Sequence, residues 1–225
     1  MNFGCQNMVD PLCKVLIKHP RDAYQNQTTV NHQSTQLNYT GVPNFEKALA
    51  DYESFKDLLE SSGADVHFLP GDESTFLDSI YTHDPCIISN GGAILCAMRE
   101  KERLSEPGTM EAYFKSINIP ILGRIISPGM LEGGDVVWID EYTVAVGEGY
   151  RSNAEGIRQF RELLGKLVNE VISVPLPHWN GPDRCLHLMS NVSPIDHDLY
   201  LVYSRLLPVS FRQYLINRGI KLLEV

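Results

Sequence analysis

The sequence predicts an α/β fold in which a unit of two strands, a helix and a third strand recurs along the chain. Three observations predict it. Short runs of Val, Ile and Leu alternate with longer runs of helical period. The resulting units close near residues 69, 126, 176 and 225, a spacing of about 50 residues. Each later unit opens with residues that a core strand avoids: "THDP", "LEGGD" and "CLHLMS". A repeat of this length points to a propeller or solenoid array, in which each unit buries its face against its neighbours. Strand starts in such an array converge on one end of a central axis, where a site can be built.

Residues 14–18 (KVLIK) form the first strand, and the Asn- and Gln-rich stretch after it is expected to be a loop. A helix follows over 44–63, with Asn44 as N-cap, Gly63 as its stop, and an apolar stripe of Phe45, Leu49, Tyr52, Phe55, Leu58 and Leu59. Residues 64–69 then return as a strand. The second unit pairs 85–89 with 93–97 across a Gly-Gly turn, then runs through a helix near 106–117 into a strand over 119–126. The third uses "DVVWID", "TVAVG", a helix from Ser152 to about Val168, and a strand over 170–176. The fourth uses "CLHLMSNVSPI", "DLYLVYS", a helix over 208–217 and a strand over 220–225. This describes one domain over 1–225, with units at about 1–70, 71–127, 128–177 and 178–225.

Composition narrows the function. Of the 225 residues, 43% are hydrophobic and 21% charged, enough apolar material for a sizeable core. The net charge of −9 repels a phosphate backbone or an anionic membrane surface, so neither nucleic acid nor membrane is an expected partner. The five cysteines show no CxxC pair, which signals neither a zinc site nor a disulfide framework. The N-terminus lacks a basic start followed by an apolar block, and no apolar run is long enough to span a bilayer. The expected location is cytoplasmic. His178, Asp183, His187, Asp196, His197 and Asp198 crowd one region without a known ligand spacing, so no metal and no other cofactor is expected. "VGEGYRS" matches a dinucleotide-binding glycine pattern at Gly147 and Gly149, but Ser152 stands where the third glycine belongs.

Five residues are candidates for chemistry. In "LEGGDV", Glu132 and Asp135 are either solvated turn acids or carboxylates aimed at a cation that the glycines let approach. Asp84 stands at a comparable strand start, held extended by Pro85. Two such carboxylates suit a guanidinium, whose planar donors pair bidentately. His187 is either a hydrogen-bonded core histidine or a general acid and base beside that guanidinium. Arg151, just ahead of a helix capped by Ser152 or Asn153, is either a solvated loop arginine or an anchor for a carboxylate.

"THDP", "LEGGDV", "GYRSNAEGI" and "HLMS" together resemble the guanidino-group-modifying (pentein) superfamily of five-bladed α/β propellers. The nearest likeness is to its dimethylarginine dimethylaminohydrolase-like branch, which "FGCQNMVDPLCKVLIKHP" and "LPHWNGPD" also resemble. The resemblance implies a pentein-type propeller with four of five units present. It implies a hydrolase that takes dimethylarginine to citrulline plus amine through a covalent cysteine intermediate. Asp84 and Glu132 would hold the guanidinium, His187 would shuttle protons and Arg151 would take the α-carboxylate. Asp135 completes the substrate-binding set, bracing the turn more than touching substrate. Met189 stands where arginine deiminases carry an acid two residues after the histidine, which argues against free arginine. The family nucleophile belongs to a fifth unit, and neither Cys86 nor Cys185 matches its position. The alternative is an inactive pentein-like protein that binds a guanidino ligand or a protein partner. An amidinotransferase or arginine deiminase is a more distant expectation. An open sheet edge after the fourth unit favours a homo-oligomer.

Overall fold

In the computed structural model, which describes residues 3–225, the strands form one two-stranded and three three-stranded sheets among the described residues. Among the described residues the chain divides into two compact bodies, residues 11–82 with 100–117, and residues 3–10 with 83–99 and 118–225. The expected unit 71–127 is therefore shared, its sheet lying in one body and its helix in the other.

In the first body, β1 (Lys14–Ile17) pairs in parallel with β2 (Asp65–Phe68). Between them lie α1 (Pro20–Ala23), α2 (Gln27–Gln36) and α3 (Phe45–Ser61), and α4 (Glu106–Ser116) completes the body. The sequence reading of 27–36 as a loop is corrected here. This segment has no apolar stripe, but the Asn26 side chain caps it, accepting from the Thr29 amide at 2.9 Å. Val30 and Ser34, one turn apart, are its only buried residues, and Val30 packs with Ala23, Tyr24 and Leu77. One buried contact and one good cap are enough for a helix that periodicity does not announce. The reverse holds for α3. Asn44 caps it as expected and Gly63 adopts φ +87°, yet Phe55 and Leu58 of its stripe stay exposed.

The second body repeats one topology three times. β3 (Cys86–Ser89) and β4 (Gly92–Leu95) form a hairpin, and β5 (Ile121–Arg124) returns parallel to β4. β6 (Val136–Asp140) and β7 (Thr143–Glu148) do the same, with α5 (Ala154–Leu164) carrying the chain to β8 (Glu170–Pro175) beside β7. β9 (Val192–Asp196) and β10 (Leu199–Val202) form the last hairpin, and α6 (Val209–Asn217) leads to β11 (Lys221–Glu224) parallel to β10. This is an α/β fold of ββαβ units, as the sequence predicts.

β6 explains why its segment reads as an unbroken apolar run. Side chains alternate across a strand. Val136 and Trp138 enter a cluster with Ile94, Leu131 and Phe160, while Val137 and Ile139 enter another with Leu188, Tyr200 and Leu215. Both faces are buried, so no polar alternation is tolerated. The segment 185–191 departs from expectation, because the strand starts only at Val192 and a single 3-10 turn over Leu188–Ser190 precedes it. Among the described residues no helix is long and apolar enough to cross a membrane.

One glycine gives a direct test of this packing. Gly156 lies in the first turn of α5, and a Cβ there would stand 1.9 Å from the Met130 carbonyl oxygen. Helix propensity alone favours alanine by about 1 kcal/mol. The backbone clash outweighs it, so Gly156→Ala is expected to lower stability by about 2 kcal/mol, read as a fall in thermal midpoint by circular dichroism.

Candidate active site

The site grows from the three segments that open the hairpins of the second body. An isolated antiparallel bridge between Leu131 and Ala97 fixes the chain just before Glu132. Glu132 is extended and leads into one 3-10 turn over Gly133–Asp135. Its carboxylate is fully buried. Oε1 accepts from the Arg99 amide at 3.0 Å, and Oε2 accepts from Arg151 Nη1 at 3.1 Å. Asp84 meets the same turn from the other side, its backbone oxygen accepting from the Gly133 amide at 2.9 Å and Oδ1 from the Gly134 amide at 3.1 Å.

The two glycines have a cause on the page. A Cβ on Gly133 would lie 2.1 Å from the His83 carbonyl oxygen, and one on Gly134 would lie 2.6 Å from His187 Cδ2. The sequence reading gave this space to a ligand. In the structure the chain's own Asp84 segment and the His187 ring fill it. Gly147, part of the partial nucleotide pattern, likewise makes room for Asp135, whose Oδ1 would be 2.7 Å from its Cβ.

Asp135 is the internal brace. It is fully buried, accepting from the Ser152 hydroxyl at 2.6 Å through Oδ2 and from the Leu188 amide at 3.0 Å through Oδ1. Ser152 in turn accepts from the Glu132 amide at 3.1 Å. The sequence analysis offered Ser152 only as a helix cap. Asn153 takes that role, its side chain accepting from the Gly156 amide at 2.8 Å, which frees Ser152 to turn inward. No sequence signal links residue 152 to residues 132 and 135, because the contact is purely tertiary.

His187 stands among three carboxylates. Nδ1 lies 3.3 Å from Asp135 Oδ1, close enough for an ion pair though not aligned as a hydrogen bond. Nε2 lies 3.5 Å from Glu132 Oε2 and 3.9 Å from Asp84 Oδ1. Burial works against the imidazolium, yet the Asp135 carboxylate and the Cys185 sulfur beside the ring outweigh it and raise the pKa from 6.5 to about 11. At neutral pH the ring is a cation.

The structure thus brings Glu132, Asp84, Asp135, His187 and Arg151 together. Arg151 Nη1 donates to Glu132 Oε2, so this side chain also braces the buried carboxylate. Of the cysteines, Cys86 is buried and burial pushes its thiol up to about 12, while burial also raises Cys96. Cys185 is exposed. Met189 packs against the apolar cluster around Leu188. The crowded histidines disperse: His178 Nδ1 bonds the Tyr150 hydroxyl at 2.7 Å and His197 pairs with Asp10 at 3.1 Å.

Two outcomes follow. Ser152→Ala leaves a buried carboxylate oxygen and the Glu132 amide without their partner, so unfolding by denaturant should show a loss of about 1–3 kcal/mol. For His187 the folded pKa lies above the unfolded one. Its imidazolium therefore contributes stability in full below pH 6.5, and that contribution is lost as pH rises through about 11. The stability gap between the native chain and His187→Leu should narrow as pH is raised from 7 towards 11.

Comparison with known proteins places this geometry. The family described as arginine deiminase matches residues 76–219. A dimethylarginine dimethylaminohydrolase from Pseudomonas aeruginosa is 28% identical over 162 residues, which cover 71% of this chain and 60% of that protein. One from Streptomyces coelicolor is 27% identical over 149 residues, 66% of this chain and 54% of the relative. The chain spans between half and two thirds of the length of these relatives. Among solved structures, the Pseudomonas aeruginosa enzyme complexed with citrulline superimposes with a TM-score of 0.69 at 22% identity, covering 95% of this chain and 92% of that one. An amidinotransferase from Microseira wollei superimposes with a TM-score of 0.76 at 14% identity, covering 100% and 76%. The chain belongs to the family described as arginine deiminase.

Proposed function

We propose that this chain carries the guanidinium-holding part of a hydrolase that acts on methylated arginine, releasing an amine and leaving citrulline. The observation that carries the reading is the convergence of Glu132 and Asp84 on His187, each from the start of a different hairpin. A guanidinium is flat, cationic and rich in donors, and carboxylates match it bidentately. The relatives called dimethylarginine dimethylaminohydrolase, and the neighbour solved with citrulline, support the substrate class.

In the proposed reaction a cysteine thiolate adds to the guanidinium carbon. The bond from that carbon to the substituted nitrogen breaks, and His187, neutral once the guanidinium has bound and reprotonated by the cysteine thiol, gives that proton to the departing amine. Water then adds to the same carbon with His187 as base, the carbon–sulfur bond breaks, and the thiolate is restored with the ureido product. Asp84 and Glu132 hold the cation flat, while Asp135 and Ser152 keep the histidine and the Glu132 turn in register. Cys86 and Cys96 do not serve as the thiolate, because burial holds both thiols protonated. That burial also favours the second reading, a pentein-like protein that binds a guanidino ligand without turning it over. Citrulline release from dimethylarginine separates the two.

A resting imidazolium in a cation site gives the binding step a pH dependence. A guanidinium that enters beside His187 repels its proton, so binding should release a proton and tighten as pH rises from 7 to 9, at most tenfold per pH unit. Calorimetry in two buffers of different ionisation enthalpy reads the proton directly. Glu132→Gln removes the charge that the guanidinium meets and should weaken binding by about tenfold or more. Unchanged affinity in that variant would contradict the clamp.

A further inference from the structure

The reaction proposed above needs a thiolate, and burial removes Cys86 and Cys96 from the choice. Cys5 and Cys13 are exposed, and each donates to a backbone carbonyl two residues away, that of Asn7 and that of Pro11. Cys185 is differently placed. It is exposed, and its sulfur lies beside the His187 ring.

The chain around Cys185 is shaped to put it there. Trp179 and Gly181 adopt φ of +47° and +100°, which folds residues 178–184 back on themselves. The Gly181 amide donates to the His178 carbonyl at 3.0 Å and the Arg184 amide to the Gly181 carbonyl at 3.3 Å. Arg99 joins this loop to the carboxylate cluster, since its side chain donates to the Pro182 carbonyl and its amide to Glu132 Oε1 at 3.0 Å. Past the loop the backbone is extended at His187, with φ −97° and ψ 160°, and extended chain sends successive side chains to opposite sides. Arg184 and Leu186 turn into a cavity of about 200 Å³ that Tyr150 and Leu176 also line. Cys185 and His187 therefore share the other side.

His187 is itself oriented from behind. Its Nδ1 lies 3.3 Å from Asp135 Oδ1, and Asp135 is fixed by the Ser152 hydroxyl and the Leu188 amide. Thiol, imidazole and carboxylate stand in the series that activates a nucleophile: the base takes the thiol proton, and the acid holds the base. The second ring nitrogen faces Glu132 and Asp84 at 3.5 and 3.9 Å, where a guanidinium would be held.

We infer that Cys185 is the nucleophile of this chain, carried by the same segment as the histidine and standing apart from the position that the family uses. This rests on the proposed function above. With a guanidinium bound and His187 neutral, the Cys185 proton passes to His187 as sulfur bonds to the guanidinium carbon. That proton leaves on the amine when the carbon–nitrogen bond breaks, and a thiouronium stays on Cys185. Water then adds, His187 takes a proton from it, and the carbon–sulfur bond breaks to restore the thiolate beside an imidazolium. The second proton of that water goes to the released amine.

The test gives asymmetric dimethyl-L-arginine to the unsubstituted chain, to Cys185→Ser and to Cys5→Ser. Three readouts are taken: citrulline release, affinity by calorimetry, and peptide mass after an acid quench. The unsubstituted chain and Cys5→Ser are expected to turn over alike, with a thiouronium trapped on the peptide that contains Cys185. Cys185→Ser is expected to lose turnover by on the order of 1,000-fold or more while it binds the ligand within about threefold. Matching thermal midpoints for the three proteins exclude a folding defect. Turnover that survives in Cys185→Ser, or an adduct on another cysteine, would overturn the assignment. Binding without turnover by the unsubstituted chain would also overturn it and leave the guanidinium clamp standing. Failure of that chain to bind dimethylarginine would overturn the clamp and the Cys185 assignment together.

Discussion

Everything at this site depends on a buried carboxylate, Asp135, that touches no solvent. An isolated carboxylate in an apolar interior is costly, and it persists only when donors surround it. Here two donors come from distant parts of the chain, the Ser152 hydroxyl ahead of α5 and the Leu188 amide ahead of β9, and the His187 ring stands 3.3 Å away as an ion-pair partner. Satisfying one carboxylate thus locks together the starts of two hairpins and the loop after β7. The same demand explains why residues 185–191 do not extend β9. The Leu188 amide is committed to Asp135, and the chain must turn to deliver it.

The charge balance follows from that arrangement. Asp84, Glu132 and Asp135 supply three carboxylates within reach of one imidazolium and one guanidinium. The cluster is one positive charge short of neutrality, which is the electrostatic character of a cation site. Burial makes the deficit consequential, since charges are screened less there than at the surface. His187 fills the role of resident cation when no ligand does, which explains its raised pKa. A histidine in that position is poised to give up its proton when a second cation arrives.

Much of this was legible in the sequence, and the limits have physical causes. The ββαβ order could be read because each hairpin pairs neighbours in the chain, and because α5 keeps Ile157, Phe160 and Leu164 on one buried face. Asp84, Glu132, Asp135 and His187 were visible because carboxylates, glycines and a histidine interrupt apolar runs where a core strand would not carry them. The helix over 27–36 was not legible, since a cap and one buried valine hold it without any stripe. Nor was Ser152: a hydroxyl that joins residues 132 and 135 leaves no local pattern. Arg151 was read by its neighbourhood at a helix start, whereas its direction was set by the buried Glu132. Leu186 and Leu188 alternate like a strand, and only the tertiary bond from Leu188 to Asp135 shows why they are not one.

The central claim is that the carboxylate cluster holds a cation at all times, either the His187 imidazolium or a guanidinium. The most direct measurement is a nuclear magnetic resonance titration of the His187 ring from pH 5 to 11, with and without a saturating guanidinium ligand. The account predicts a ring that stays protonated beyond pH 9 when free, and whose midpoint falls by more than one unit when the ligand is bound. A midpoint near the ordinary histidine value of about 6.5, unmoved by ligand, would contradict it.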